Sequence, residues 1–351
     1  MKEKWVVSAK KADFQAIGQR FGIDPVLARI MRNRGLTDLQ EMNLYLHGTR
    51  ADLNDPHLLK DADLAAQILR EKIKEKKRIR IIGDYDIDGI QSTYILYCAL
   101  RRLGADADFV IPDRILDGYG LNEHLVTRAS QDGIDTILTC DNGISAIDQI
   151  HLAKSLGMTV VVTDHHEVPF TEVDGVRREK VCEADAVVNP KQQACHYPFK
   201  KLCGAAVAFK LVQVLYEVFG LEVSEADCFI ENAGFATVGD VMDLQGENRI
   251  LVKLGLEMLN RTTNIGMKAL ILQNKLTMGA IKSHDIGFRI GPCLNASGRL
   301  DTARLSLKLL LCESETEAAV LAEEIVTGET KGYEKEWNIN SEKVTMAVER
   351  I

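Results

Sequence analysis

The sequence predicts an α/β fold: a mainly parallel twisted sheet with helices on both faces, preceded by a helical N-terminal region and followed by an all-helical segment with a long connector helix. Three observations carry that expectation. Between residues 78 and 188, short β-like runs alternate with helix-length amphipathic stretches, the pattern of βαβ units. One run, 159–162, reads TVVV and has no polar face, as a strand buried on both sides of a parallel sheet does. Before residue 78 and after residue 204, apolar residues recur at helical spacing instead.

In chain order, FQAIGQRFGI, PVLARIMRNRGL and DLQEMNLYL each read as a helix, punctuated by Gly35 and by Asp55-Pro56. Asp61 to Lys77 is a longer amphipathic helix ending in lysines, which suits a helix C-terminus. The basic run Arg70 to Arg80 is read as a solvated helix face, with phosphate contact as the alternative. Strands are expected at 78–82, 107–111, 135–139, 158–162 and 185–188, with helices at 89–103, 121–131, 145–156 and 171–180. Further helices are expected at 204–219, 225–237, 248–260, 264–273, 279–287, 301–312 and from about 314. The division is a helical region 1–77, a catalytic domain 78–312 whose α/β core runs to about 200, and a connector helix 313–351 leading toward a missing C-terminal domain.

A chain of 351 residues suits two domains, or one large domain with additions. At 46% hydrophobic and 27% charged, it has the composition of an ordinary globular protein. No run approaches the ~20 apolar residues of a membrane span, and MKEKWVVSAKK lacks a signal-peptide core, so a cytoplasmic location is expected. The eight cysteines form no CxxC pair and fit a reducing compartment. Cys182, Cys195, His196 and Cys203 match no zinc-finger spacing and read as loop and core residues. His47, His57, His124, His151 and His284 are scattered and read as ordinary. The net charge of −8 argues against nucleic-acid binding through bulk charge, though not against local contact.

The expected strands end in polar residues of one kind. GDYDIDG follows 78–82, Cys140-Asp141-Asn142-Gly143 follows 135–139, and Asp164-His165-His166-Glu167 follows 158–162. Farther on, Gly239-Asp240 closes an apolar helical run. Parallel strands present all their carboxyl ends on one edge, so Asp86, Asp88, Asp141, His165 and Asp240 are expected to converge. A lone Asp after a strand is usually a helix cap. Four such elements in register, one with a His-His pair, read instead as a metal site. Mostly carboxylate ligands with imidazole and no thiolate suit Mn2+ or Mg2+ better than catalytic zinc. The surplus of carboxylates suits two ions about 3.5–4 Å apart, and the chemistry of such a pair is phosphoester hydrolysis.

GDYDIDG, DNG, DHH and VGD occur in the order of the four motifs of the DHH phosphoesterases, which the chain resembles. Within that family it is most similar to the bacterial single-strand-specific exonucleases. Ile111 to Arg114 with Gly118 to Asn122, Lys201 to Ala208, and Gly291 to Leu300 carry that likeness. The resemblance implies Asp86, Asp88, Asp141 and Asp240 as metal ligands, with Asp141 bridging, and His165 on the second ion. It implies His166 beside the phosphate, Asp164 orienting the His pair, and Asp84 as a ligand or supporting carboxylate. Catalysis falls to His166, Asp164 and Asp141; Arg299, Asn295, Arg114 and Tyr119 contact the strand. It also implies two Mn2+ or Mg2+ ions and 5′→3′ digestion of single-stranded DNA in recombination and repair. A single-stranded-DNA-binding protein and a helicase are partners by analogy, and no membrane is involved. A chain that stops at the connector helix is expected to be weakly active or inactive. The alternatives are a DHH phosphodiesterase for small substrates and a non-catalytic scaffold. Two positions depart from the family pattern: Ile82 stands where many members have His, and Cys293 where relatives often have Arg.

Overall fold

The computed structural model describes residues 10–112, 120–173, 175–295 and 302–327. The chain begins with three short helices, α1 (Phe14–Phe21), α2 (Pro25–Asn33) and α3 (Leu39–His47). Each starts on an aspartate. Asp13, Asp24 and Asp38 accept hydrogen bonds from backbone N–H groups two or three residues on, satisfying donors that a first turn leaves free. Met31, Leu36 and Met42 form their small core. Two single-turn 3-10 helices lead to α4 (Ala62–Lys74).

Five strands, β1 (Ile79–Ile82), β2 (Ala107–Val110), β3 (Thr136–Cys140), β4 (Thr159–Thr163) and β7 (Ala186–Val188), form one parallel sheet. Its spatial order is β2-β1-β3-β4-β7. Alternate residues of each strand feed two cores. Ile79, Ile81, Leu138, Cys140, Val161 and Val188 pack on one face with α4, α5 (Ile87–Arg102) and α8 (Gly204–Val218). Ile82, Ile137, Val160, Val162 and Val187 pack on the other with α6 (Glu123–Gln131) and α7 (Ile147–Ser155). Burial on both faces explains the unbroken apolar runs. From β1 the chain steps out to β2, then returns to the other side of β1 for β3. The crevice beyond the carboxyl ends of β1 and β3 is therefore the switch point at which open α/β sheets bind ligands.

The expected helix at 171–180 is absent. Those residues fall in an antiparallel hairpin of β5 (Phe170–Val173) and β6 (Val176–Glu179). Gly175 stands at φ +74°, and Asp-Gly between two β-branched flanks is a strong short-range hairpin signal. The basic run is not simply solvated either. Buried Arg80 donates to both oxygens of Asp108, at 2.8 and 2.7 Å, and to Asp132 at 2.8 Å, while Lys72 pairs with Asp135 at 2.7 Å. These acids stand at the amino-terminal edge of the sheet, opposite the crevice.

The second half is helical: α8, then a 3-10 segment, α9 (Ile230–Gly239), α10 (Gly246–Leu259) and α11 (Ile265–Gln273). A helical run follows, comprising α12 (Ser283–Asp285), a π-helical turn (Ile286–Ile290) and α13 (Gly291–Leu294), so the helix expected at 279–287 starts later and extends further. Next come α14 (Thr302–Leu310) and a helix over 315–327. Ile87 and Ile90 of α5 join Ile286, Leu294, Leu307, Leu321 and Ile325 in a separate core. The halves are also tied by a buried charge network. Lys210 Nζ lies 2.6 Å from Glu247 Oε1, Tyr197 Oη donates to Glu247 Oε2 at 2.6 Å, and Asn54 donates to both Glu247 oxygens. Among the described residues no helix is long and apolar enough to cross a membrane.

Candidate metal centre

The crevice is built from four chain segments. After β1, Gly83 leads to Asp84, 1% exposed. Asp86 caps α5, its Oδ1 accepting from the backbone N–H of Asp88 and Gly89 at 3.0 Å each. Asp88, fully buried, turns toward the start of α8, where its two oxygens accept from the N–H of Gly204 (2.5 Å) and Ala205 (2.8 Å). The α8 terminus has no side-chain cap of its own, so its free N–H groups find their acceptor in this carboxylate. Two glycines make the approach feasible. A Cβ on Gly89 would lie 2.5 Å from the carbonyl oxygen of Asp84, and one on Gly204 would lie 2.7 Å from Cβ of Asp141.

After β3, Asp141 adopts φ +60°, a left-handed conformation that Asp tolerates better than most residues but at a cost. The turn is pinned by Asn142, whose Nδ2 donates to the carbonyls of Ile82 (3.0 Å) and Cys140 (2.8 Å). After β4, buried Asp164 organises the His pair. Its Oδ1 accepts from the backbone N–H of His165 (2.7 Å) and His166 (3.0 Å) and lies 2.8 Å from His166 Nδ1, while Oδ2 accepts from Ile144 N–H at 2.9 Å. His165 Nε2 then stands 3.1 Å from Asp141 Oδ1, 3.5 Å from Asp88 Oδ2 and 3.7 Å from Asp240 Oδ2. Asp240 ends α9, and Val241 behind it has φ +54°, an outlier for a β-branched residue.

The ligand-capable atoms fall into three groups, each with all members within 4.8 Å of one another: Asp84, Asp86 and Asp141; Asp88, His165 and Asp240; Asp141, His165 and His166. Asp141 joins the first group to the third. Burial, followed by the charge of Asp86, pushes the Asp84 carboxyl up to about 7. Burial, then Asp88 and Asp86, raises Asp240 to about 7, and the same causes raise Asp141 well above the carboxylate range. Burial lowers His165, favouring the neutral imidazole that ligates metals. Burial also works against charge on Asp164 and His166. Their mutual hydrogen bond and attraction outweigh it, lowering the first and raising the second.

These residues fit a divalent cation. Asp84 Oδ1 is buried with no hydrogen-bond partner, and crowded carboxylates of raised pKa are what a cation would ionise. The donors are oxygen and imidazole. The adjacent Cys140 thiol is pushed up to about 12 by burial and belongs to none of the three groups.

All eight metal-motif residues expected from the sequence, Asp84, Asp86, Asp88, Asp141, Asp164, His165, His166 and Asp240, meet here. Asn295 lies beside them and braces the loop, its Oδ1 accepting from Ile87 N–H at 2.8 Å. Arg114, Tyr119 and Arg299 lie outside the described residues. Ile82 is fully buried in the α6/α7 core, and Asp84 stands with Asp86 and Asp141 instead. Cys293 is buried in the helical core, with Sγ 3.0 Å from the carbonyl of Arg289. Two supporting residues were not foreseen. Gly204 gives Asp141 room, and buried Asn189, at the end of β7, donates to the carbonyl of His166 at 3.0 Å. The signal for Asn189 was a polar residue closing a fifth buried strand.

Known proteins resemble this chain in sequence and in fold. The model of the DHH family, N-terminal domain, matches residues 78–232. The single-stranded-DNA-specific exonuclease RecJ of Bacillus subtilis (strain 168) is 37% identical over 325 residues, which is 92% of this chain and 39% of that protein. RecJ from Thermus thermophilus, solved in complex with Mn2+, is similar with a TM-score of 0.73 at 29% identity, covering 91% of this chain and 44% of that one. A solved exonuclease RecJ bound to manganese gives a TM-score of 0.68 at 34% identity, covering 78% of this chain and 66% of that one. The chain thus spans between 39% and 52% of the length of the first curated relatives it matches.

Proposed function

We propose that this chain, whose residues 78–232 match the DHH family, N-terminal domain, hydrolyses phosphodiester bonds with two divalent cations, Mn2+ or Mg2+, as a 5′→3′ exonuclease on single-stranded DNA in recombination and repair. The observation that carries the reading is the shared position of Asp141. A ligand-capable atom of Asp141 lies within 4.8 Å of those of Asp84 and Asp86 on one side, and its Oδ1 lies 3.1 Å from His165 Nε2 on the other.

Asp84, Asp86 and Asp141 would hold one cation, and Asp88, His165 and Asp240, with Asp141, the other. When bound, such a pair supplies Lewis acidity and an activated water. His166, whose protonated form is favoured by Asp164, would donate to a phosphate oxygen as charge develops there. Asp164 acts through the His pair and fixes its orientation. Arg299, with Arg114, Tyr119 and Asn295, would grip the strand near its 5′ end, as the family resemblance implies. The division into 1–77, 78–312 and 313–351 is part of the same reading. So are delivery of the strand by a single-stranded-DNA-binding protein or a helicase, and a cytoplasmic setting, which the eight free cysteines support. A complete ligand set speaks against a scaffold that has lost its metals.

The test is digestion of 5′-phosphorylated single-stranded and duplex DNA by the purified chain with Mn2+. Slow, distributive release of nucleotide 5′-monophosphates from the single strand, abolished by chelator and by Asp141→Ala, is expected. Equal attack on duplex, or hydrolysis that persists with chelator, contradicts the reading.

A further inference from the structure

Lys191 follows β7, at the same carboxyl edge of the sheet as the metal-centre loops. Its backbone is fixed to the His pair through Asn189, whose Oδ1 accepts from Lys191 N–H at 2.8 Å while Nδ2 donates to the carbonyl of His166 at 3.0 Å. Its Nζ lies 3.2 Å from Glu167 Oε1, and Glu167 is the residue directly after the His pair. The two partners are unequally placed: the Lys191 side chain is 23% exposed and that of Glu167 is 76%. An ion pair with one partner largely in water has little net strength and exchanges readily.

We propose that Lys191 is a substrate-binding residue that holds a phosphate of the bound strand beside the metal centre, and that Glu167 occupies the ammonium group until the strand arrives. The proposal rests on the exonuclease reading above. An approaching polyanion meets a crevice crowded with carboxylates, so a fixed cation at its edge is needed beyond any bound metal. A second lysine repeats the arrangement farther out: Lys201 pairs with Asp243, three residues after Asp240, but both partners are more than half exposed. Lys191 is the sheltered one of the two.

The experiment measures binding of a short 5′-phosphorylated oligothymidylate by fluorescence anisotropy, over a series of salt concentrations, for the full chain and for K191Q, K191R and E167Q. Manganese stoichiometry is followed in parallel by calorimetry. K191Q is expected to raise Kd about tenfold, the loss of one charge-assisted hydrogen bond. It should flatten the slope of log Kd against log salt by about 0.7, the contribution of one phosphate contact on a single strand. K191R should retain most of the affinity, and manganese stoichiometry should not change. E167Q, which frees the lysine without altering it, should tighten binding. A K191Q variant with wild-type Kd and slope overturns the phosphate contact, and unchanged or weaker binding by E167Q overturns the role of Glu167. A wild type that binds no single strand overturns the exonuclease reading as well, which separates the two failures.

Discussion

Asp141 is held at φ +60° between a glycine helix start and the His pair, so small changes around it have large expected effects. In Gly204→Ala the new Cβ meets Asp141 at 2.7 Å, closer than real Cβ contacts come. The expected cost is about 1–3 kcal/mol of stability, as for overpacking elsewhere, together with weaker Mn2+ binding. Chemical denaturation and calorimetry on the same samples check both. Asp164→Asn leaves a single acceptor oxygen where the carboxylate meets four donor groups. Hydrolysis is expected to fall about 10–100-fold, the range for residues that orient ligands, and the pH profile to shift because His166 loses its counter-charge. An unchanged pH profile would show that Asp164 does no more than brace the loop.

At the scale of elements, the strands were readable because burial on both faces leaves each as an unbroken apolar run. The metal motifs were readable because a parallel sheet places all its strand ends on one edge. The hairpin at 170–179 differs from the expected helix because its charged residues mimic a solvated helix face, while Gly175, at positive φ, suits a turn between paired strands. Gly204 and Asn189 could not be assigned roles from sequence, because each acts through a contact between segments far apart in the chain. The same is true of the Lys210–Glu247 pair joining α8 to α10, on which burial disfavours the charged lysine and Glu247 offsets only part of that effect. Glu247→Gln leaves a buried ammonium without its counter-charge and is expected to cost about 3–5 kcal/mol, with the double variant Lys210→Met, Glu247→Leu recovering only part of that loss, because Tyr197 and Asn54 then lose their acceptor. Urea unfolding of the three proteins measures it. A single variant as stable as wild type would mean that the pair is not buried.

For the whole molecule, the metal centre couples stability to pH. Asp84 and Asp240 have folded-state values of about 7, well above an unfolded carboxyl. Groups raised in this way favour folding at low pH, and that contribution disappears as pH rises through the folded value. Without metal, stability should therefore fall between about pH 4 and pH 7 as these carboxylates ionise against one another. Mn2+ should reverse the loss, so the rise in Tm on adding Mn2+ should grow across that window and level off above it. Thermal melts with and without Mn2+ at several pH values test this, and a gain independent of pH would place the ion elsewhere. The central claim, that this edge of the sheet is a two-ion centre joined by Asp141, is tested most directly by anomalous scattering from crystals grown with Mn2+. Two peaks are expected, one among Asp84, Asp86 and Asp141 and one among Asp88, Asp141, His165 and Asp240. No peak in the crevice, or a single one away from Asp141, would contradict it.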